Sequence, residues 1–287
     1  MSDQRQRPVT AATRLACLIG HPVGHSRSPL MHNAAFQAQG IDMRYVAFDV
    51  SSGNLAAAIE GLRALGIVGA NITVPHKEAV VPLLDTVDST AGRIGAVNTI
   101  VNQDGVLSGH NTDIHGFLMA LEQAWSRGPR GSRCLVLGAG GSARAIVAGL
   151  VLAEAAEVWV FNRTLSRARE LCAAVASWST VPCRAVGESE LITVAQQAEL
   201  IVNATSVGMG DSVKLSPIPV DTLTRRHVIV DLTYGPEPTA LVQAGRSLGC
   251  ICLDGLEMLV HQAARSYELW TGRMAPIDRM REEVQQR

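Results

Sequence analysis

Apolar residues along this chain fall into short blocks of two alternating kinds. Leu15 to Gly20, Tyr45 to Val50 and Val68 to Thr73 are nearly continuous apolar runs, the pattern of buried strands. Between them, Pro29 to Gln39 and Asn54 to Leu65 place apolar positions at helical spacing, with Asn54 as the expected N-cap of the second helix. Pro75 marks the start of a further expected helix, since its missing N–H costs nothing at the first position. Ala96 to Val101 and Val106 to Gly109 flank Gln103-Asp104-Gly105 and predict a hairpin. In the second half, strands are expected at Arg133 to Leu137, Val158 to Phe161, Leu200 to Asn203, Val228 to Leu232 and Cys250 to Leu253. Helical stretches fill most of the intervals, Gly208 to Pro219 reads as loop, and everything after Gly255 reads as helix.

Strand and helix in alternation predict α/β architecture with mostly parallel, right-handed sheets. The 287 residues suffice for about two domains of ~150 residues each. We place a first α/β domain at 1–112, completed by 255–287, and a Rossmann domain at 113–254. The late helices are too many for one Rossmann sheet and are expected to pack back on the first domain.

Composition narrows the field. Twenty-five basic and 26 acidic residues leave a net charge of −1, which excludes a broad nucleic-acid footprint and polybasic membrane attachment. No apolar run approaches the roughly 20 residues of a membrane span, and the first residues lack the apolar core of a signal peptide. The six cysteines form no CxxC pair, and no HExxH pattern occurs, so no metal is expected and reduced thiols in a cytoplasmic protein are.

The sharpest chemical signal is Gly138-Ala139-Gly140-Gly141-Ser142-Ala143-Arg144, between an expected strand and an expected helix. That context turns a glycine match into a dinucleotide site: Gly138 for the tight turn, Gly140 for approach of a pyrophosphate, Ala143 for packing on the sheet. The next strand ends at Asn162, Arg163 and Thr164, with Arg167 beyond. An acid there would bond a ribose 2′-hydroxyl; two cations and a hydroxyl suit a 2′-phosphate, so the expected cofactor is NADP.

Polar groups also gather after the strands of the first domain, the edge where open α/β sheets bind ligands. Ser26 and Ser28 precede an expected helix; Ser28 either caps it, with Pro29 at the first position, or joins Ser26 in holding a carboxylate. Lys77 falls in the first turn of the helix expected at Pro75, where it opposes the macrodipole; it is a surface lysine or a catalytic one. His25 and His76 are structural hydrogen-bonders or bases. Asn98 and Asp113 add an amide and a carboxylate; Asp113 either caps the helix that follows it or forms with Lys77 a proton-transfer couple beside a hydride acceptor.

The ordered set HSRSP, GANITVPHK, GAVNT, NTD, GAGGSAR, FNRT, NATSVGM and DGLEMLVHQAA, from about Leu18 to Trp270, resembles the shikimate dehydrogenase family. The resemblance implies NADP-dependent interconversion of 3-dehydroshikimate and shikimate on the path to chorismate and the aromatic amino acids. It also implies an N-terminal substrate domain followed by a Rossmann domain. Ser26 and Ser28 then match the carboxylate contacts, and Tyr234 a further one. Thr73, Lys77, Asn98, Asp113 and Gln262 match substrate-contacting positions, with Lys77 as acid/base and Asp113 its partner. Gly138, Ala139, Gly140, Gly141, Ser142, Asn162, Arg163, Thr164 and Arg167 match dinucleotide contacts, and Thr205, Leu232 and Gly255 lie toward the nicotinamide. Two departures, Ile114-His115 before Gly116 and the stretch Tyr234 to Thr239, keep quinate or an aminoshikimate open as substrates. A non-catalytic ligand sensor on the same fold is the reading from another class. Partners are expected to be a small-molecule substrate and, for assembly, none or a second copy.

Overall fold

The computed structural model describes residues 8–235 and 237–285. Pro236, inside one of the two departing stretches, lies outside them. The chain separates into two compact units: Met1–Thr112 with Gln262–Arg287, and Asp113–His261.

The first unit is built on β1 (Arg14–Gly20), β2 (Met43–Asp49), β3 (Gly69–Ile72), β4 (Thr86–Val87), β5 (Thr99–Gln103) and β6 (Val106–His110). Their order is β2-β1-β3-β5-β6-β4, with β1 parallel to β2 and β3, and β5 antiparallel to β3 and β6. The expected hairpin forms as predicted: Asp104 and Gly105 both take positive φ, 52° and 89°, as a two-residue loop between twisted strands requires. One face of the sheet, with Cys17, Ile19, Ile72 and Ile100, packs on Leu55, Ile59 and Leu62 of helix α2 (Leu55–Ala64). α1 (Ser28–Ala38) contributes Met31 and Phe36 to the buried interior, and the short α3 (Ser89–Ile94) contributes Ala91 and Ile94.

Two late helices, α9 (Gly255–Thr271) and α10 (Ile277–Gln285), are the return expected from the sequence. α10 packs along α1, where Arg27 Nη1 donates to Val284 O at 2.5 Å. From α9, Trp270 Nε1 donates to Ile100 O at 2.9 Å. A Cβ at Gly69 would meet that indole nitrogen at 2.2 Å, which is why the strand carries glycine there.

The second unit is a Rossmann-type sheet of β7 (Arg133–Leu137), β8 (Glu157–Phe161), β9 (Cys183–Val186), β10 (Leu200–Asn203), β11 (Val228–Asp231) and β12 (Ile251–Leu253). All pairs are parallel, in the order β12-β11-β10-β7-β8-β9. Alternate residues feed opposite faces: Cys134, Val136, Val158 and Val202 one core, Leu135, Leu137, Trp159 and Ile201 the other. Burial on both sides explains why these strands read as continuous apolar runs. The connecting helices are α4 (Asp113–Ala124), α5 (Gly141–Leu152), α6 (Leu165–Ala176), α7 (Glu188–Gln197) and α8 (Ala240–Ser247).

Four local expectations are corrected. No helix begins at Pro75: the chain runs through turns to a 3-10 turn at Val81–Leu83, because Lys77 O accepts from Val97 N at 2.9 Å instead of serving a helix. Lys77 therefore opposes no helix dipole. Asn54 takes the N-cap position of α2 as expected, but its side chain makes no capping bond; its amide turns back to Ser51 Oγ at 3.2 Å. Ser28 is not a cap either: Arg27 holds that position and Ser28 is inside α1. The short edge strand β9 was not expected at all; Cys183-Arg184-Ala185-Val186 mixes polar and apolar residues because a sheet edge is only half covered.

Candidate active site

In the first unit, the expected substrate residues gather at the carboxyl ends of β1 and β3 and at the entry to β5. Ser26 follows β1; its N–H bonds Val23 O and its Oγ accepts from Ser28 N at 3.3 Å. Ser28 is buried against the hydroxyl of Tyr45, which donates to Asn71 Oδ1 at 2.8 Å. Burial raises the Tyr45 pKa well above its ordinary value, so the phenol stays a donor. Thr73 leaves β3 with its N–H on Ile19 O at 2.9 Å. Lys77, four residues on, is 9% exposed, which is unusual for lysine. His76 is a structural hydrogen-bonder, its Nε2 2.6 Å from Val50 O, whereas His25 is exposed.

Asn98 is the centre of a buried polar network. Its Oδ1 accepts from Thr112 N at 2.7 Å and Thr99 Oγ1 at 3.1 Å, and its Nδ2 donates to Thr112 Oγ1 at 2.9 Å and Gln262 Oε1 at 3.3 Å. Gln262 and Ser266 are one turn apart on α9. Ser266 Oγ bonds Asn71 Nδ2 at 2.9 Å, Thr99 Oγ1 at 2.8 Å, Thr112 Oγ1 at 3.2 Å and its own Gln262 O at 3.0 Å. Sequence reasoning found Asn98 and Gln262 but missed Asn71, Thr99, Thr112 and Ser266. The available signal was Ser266 at i+4 from Gln262, which helical geometry places on the same face.

The remaining expected residues lie in the second unit. Asp113 is the first residue of α4 and is buried. At the end of β7, Gly138 takes φ +117°, and a Cβ there would meet Ala204 O at 2.8 Å, so the turn demands glycine. Gly140 is the N-cap of α5 and a Cβ on it would meet nothing, leaving room for a ligand to approach the backbone. Ala139 is buried behind the loop, Gly141 and Ser142 open α5, and Ala143 is fully buried against the sheet core. Helix N-termini of this kind suit phosphate. Beyond β8, Asn162 Nδ2 donates to Thr164 O at 2.9 Å, and Arg163, Thr164 and Arg167 are exposed. The donor set fits NADP: a glycine turn with open backbone, and cations with no acid where the ribose would sit.

A second network fixes the loops after β10 and β11. Asn203 Oδ1 accepts from Thr205 Oγ1 at 2.7 Å, and Asn203 Nδ2 donates to buried Asp231 at 3.0 Å. Asp231 also accepts from Thr233 and Thr239 hydroxyls, each at 2.7 Å. Leu232 and Gly255 are brought together: Gly255 N donates to Thr233 O at 3.2 Å, and a Cβ on Gly255 would meet Leu232 O at 2.1 Å. Tyr234 is half-buried in this unit, whereas Ser26 and Ser28 belong to the first. Among the described residues no cluster of three metal-ligating side chains occurs, and no helix is long and apolar enough to cross a membrane.

Comparison with known proteins covers nearly the whole chain. Residues 18–100 match the model of the shikimate dehydrogenase substrate binding domain, 122–235 that of shikimate / quinate 5-dehydrogenase, and 255–285 that of the shikimate 5'-dehydrogenase C-terminal domain. The shikimate dehydrogenase (NADP(+)) of Moorella thermoacetica is 48% identical over 94% of this chain and 92% of its own. Among solved structures, shikimate 5-dehydrogenase from Thermus thermophilus, in complex with NADP(H) and shikimate, superposes with a TM-score of 0.85 at 37% identity, covering 95% of this chain and 99% of its own. Quinate dehydrogenase from Corynebacterium glutamicum, in complex with NAD, superposes with a TM-score of 0.88 at 35% identity, covering 96% and 99%.

Proposed function

The chain belongs to the shikimate dehydrogenase family, and from that membership we infer that it is an oxidoreductase that reduces 3-dehydroshikimate to shikimate with NADP as cofactor. The observation that carries the cofactor choice is the end of β8, where Arg163 and Arg167 stand and no acid does. When bound, the reduced nicotinamide supplies the hydride to the substrate carbonyl.

The chain's own residues do the rest. Ser26 and Ser28 take the substrate carboxylate, with Tyr234 as a further contact. Asn98 and Gln262 hold ring hydroxyls, supported by the hydroxyls of Thr99, Thr112 and Ser266, and Thr73 adds a hydroxyl of its own. Lys77 holds the proton that the developing alkoxide takes, and Asp113 orients the lysine or the neighbouring hydroxyl. A proton donor is needed because an alkoxide left unprotonated in a dry site would be strongly disfavoured. The dinucleotide is held by Gly138, Ala139, Gly140, Gly141 and Ser142 at its pyrophosphate. Asn162, Arg163, Thr164 and Arg167 take its 2′-phosphate, and Thr205, Leu232 and Gly255 border the nicotinamide. The substrate-binding role falls to 1–112 completed by 255–287, and the cofactor role to 113–254.

The relation to a quinate dehydrogenase with NAD keeps one second reading in view. The test is a grid of initial rates, shikimate or quinate with NADP or NAD, together with Lys77→Met. High kcat/KM for shikimate with NADP alone supports the proposal, and Lys77→Met then lowers kcat about 10²–10⁴-fold with little change in substrate binding. Comparable rates with quinate or NAD favour the broader dehydrogenase, and ligand binding without turnover in any combination favours a sensor.

A further inference from the structure

Two of the six cysteines, neither among the residues assigned above, meet in the second unit. Cys172 lies on the inner face of α6 and Cys183 is the first residue of the edge strand β9; their sulfurs are 3.2 Å apart. At that distance the Cys183 thiol donates to the Cys172 sulfur. We propose that Cys172 and Cys183 are a modification site: a dithiol that closes to a reversible disulfide between α6 and β9 when the protein meets a peroxide.

The surroundings select this pair. Cys17 and Cys134 are fully buried, and burial pushes both thiols up to about 12. Cys252 is likewise pushed up to about 11 by burial, and Cys250 is pushed up by the same cause. Cys172 alone goes the other way, because the Cys183 S–H stabilises its thiolate; the same bond drives Cys183 up. A thiol whose ionisation is eased by a second thiol in contact is the arrangement of an attacking and a resolving cysteine. Cys172 is buried and Cys183 only partly so, which leaves the Cys183 side of the pair as the approach for a molecule as small as peroxide.

The chemistry balances. The Cys172 thiolate attacks one peroxide oxygen, the O–O bond breaks, and hydroxide leaves a sulfenic acid on Cys172. Cys183 sulfur then attacks Cys172 sulfur; the S–S bond forms, the S–O bond breaks, and the departing hydroxide takes the Cys183 proton as water. Two thiols lose two electrons and one peroxide gains them. A dithiol reductant reverses the change by exchange.

The bond would act on the part of the sheet held least. β9 pairs on one side only, with β8, and is four residues long. Closing a loop of about a dozen residues across it restrains the unfolded chain and keeps the edge from peeling off α6.

The test uses the purified full chain, reduced, then treated with equimolar hydrogen peroxide. The expected result is an intact mass lower by about 2 Da, the same loss of about 2 Da in the tryptic peptide 170–184 that carries both cysteines, and loss of two of the six titratable thiols, all reversed by dithiothreitol. The thermal midpoint should rise by about 5–10 °C on oxidation, since such a loop typically yields that order of shift, while shikimate turnover stays within twofold. Cys172→Ser and Cys183→Ser should each abolish the bridge and the rise. Uptake of oxygen at Cys172 without a bridge, a bridge mapped to another pair, or no reaction at all would overturn the proposal.

Discussion

Ser266 offers the most direct probe of how the first unit holds its polar site. It is fully buried, and its hydroxyl touches Asn71 Nδ2, Thr99 Oγ1, Thr112 Oγ1 and Gln262 O within 3.2 Å. Ser266→Ala removes one oxygen and leaves a void too small for water. The partners are not orphaned. Asn71 Nδ2 keeps Thr99 Oγ1 at 3.1 Å and Asn98 O at 3.2 Å, and both threonines keep Asn98 Oδ1. The loss is therefore close to two net hydrogen bonds at about 1 kcal/mol each, or about 2 kcal/mol, rather than the larger cost of unsatisfied groups. In a urea titration followed by circular dichroism, that moves the unfolding midpoint of the affected transition down by roughly 1 M, for a slope near 2 kcal/mol/M. Because Asn98 and Gln262 lose a common support, KM for shikimate should rise several-fold while kcat, set by Lys77, changes less. A midpoint within about 0.2 M of the parent together with an unchanged KM would refute the network as a source of either stability or positioning.

Three further outcomes follow from single contacts. Arg163→Ala should raise KM for NADPH by about 10–100-fold, the range of one charge-assisted hydrogen bond, and leave KM for NADH nearly unchanged; equal effects on both cofactors would count against a 2′-phosphate contact. His32 is completely buried, stacked 4.4 Å from Tyr45, and burial pushes its pKa down to about 3. Since the unfolded chain binds that proton near pH 6.5 and the folded one does not, stability falls as pH drops from about 6.5 toward 3, by about 2 kcal/mol at pH 5 from this group alone. His32→Leu should flatten the slope of urea stability between pH 7 and 5, and an unaltered slope would show that other groups set it. Gly255→Ala forces a Cβ to 2.1 Å from Leu232 O, a backbone atom that cannot turn away. The variant should lose several kcal/mol, and a melting temperature equal to the parent's would contradict the close approach.

Much of the architecture was legible because burial is two-sided. In β7, β8 and β10 most residues face one core or the other, so the strands announce themselves as nearly unbroken apolar runs. The Gly138 turn was equally legible, since its φ of +117° and its approach to Ala204 O leave one residue type. Errors came where a side chain had two partners to choose from. Helices do begin at Ser28 and after Asn54, but neither side chain caps them, Ser28 lying against the Tyr45 hydroxyl and Asn54 turning to Ser51; after Pro75 no helix forms, and Lys77 O accepts from Val97 N instead. β9 escaped notice because an edge strand lacks a continuous apolar stripe. The supporting hydroxyls of Thr99 and Thr112 were hidden for another reason: an isolated threonine carries no spacing signal, and only the fold brings these chain segments to Ser266.

The position of α10 against α1 also sets a timetable. The first unit is interrupted, and the residues that complete it, from Gln262 onward, are translated about 150 residues after Thr112. At roughly 5–20 residues per second, the ribosome leaves the inner face of α1 and the slot at Gly69 without α10 and Trp270 for about ten to thirty seconds. The later-encoded Rossmann sheet has all its strands in hand before that wait ends. Order of synthesis and order of completion are thus reversed: the segment made first is the last to close, and a chain stalled short of α9's second half would present chaperones with one finished unit and one still open.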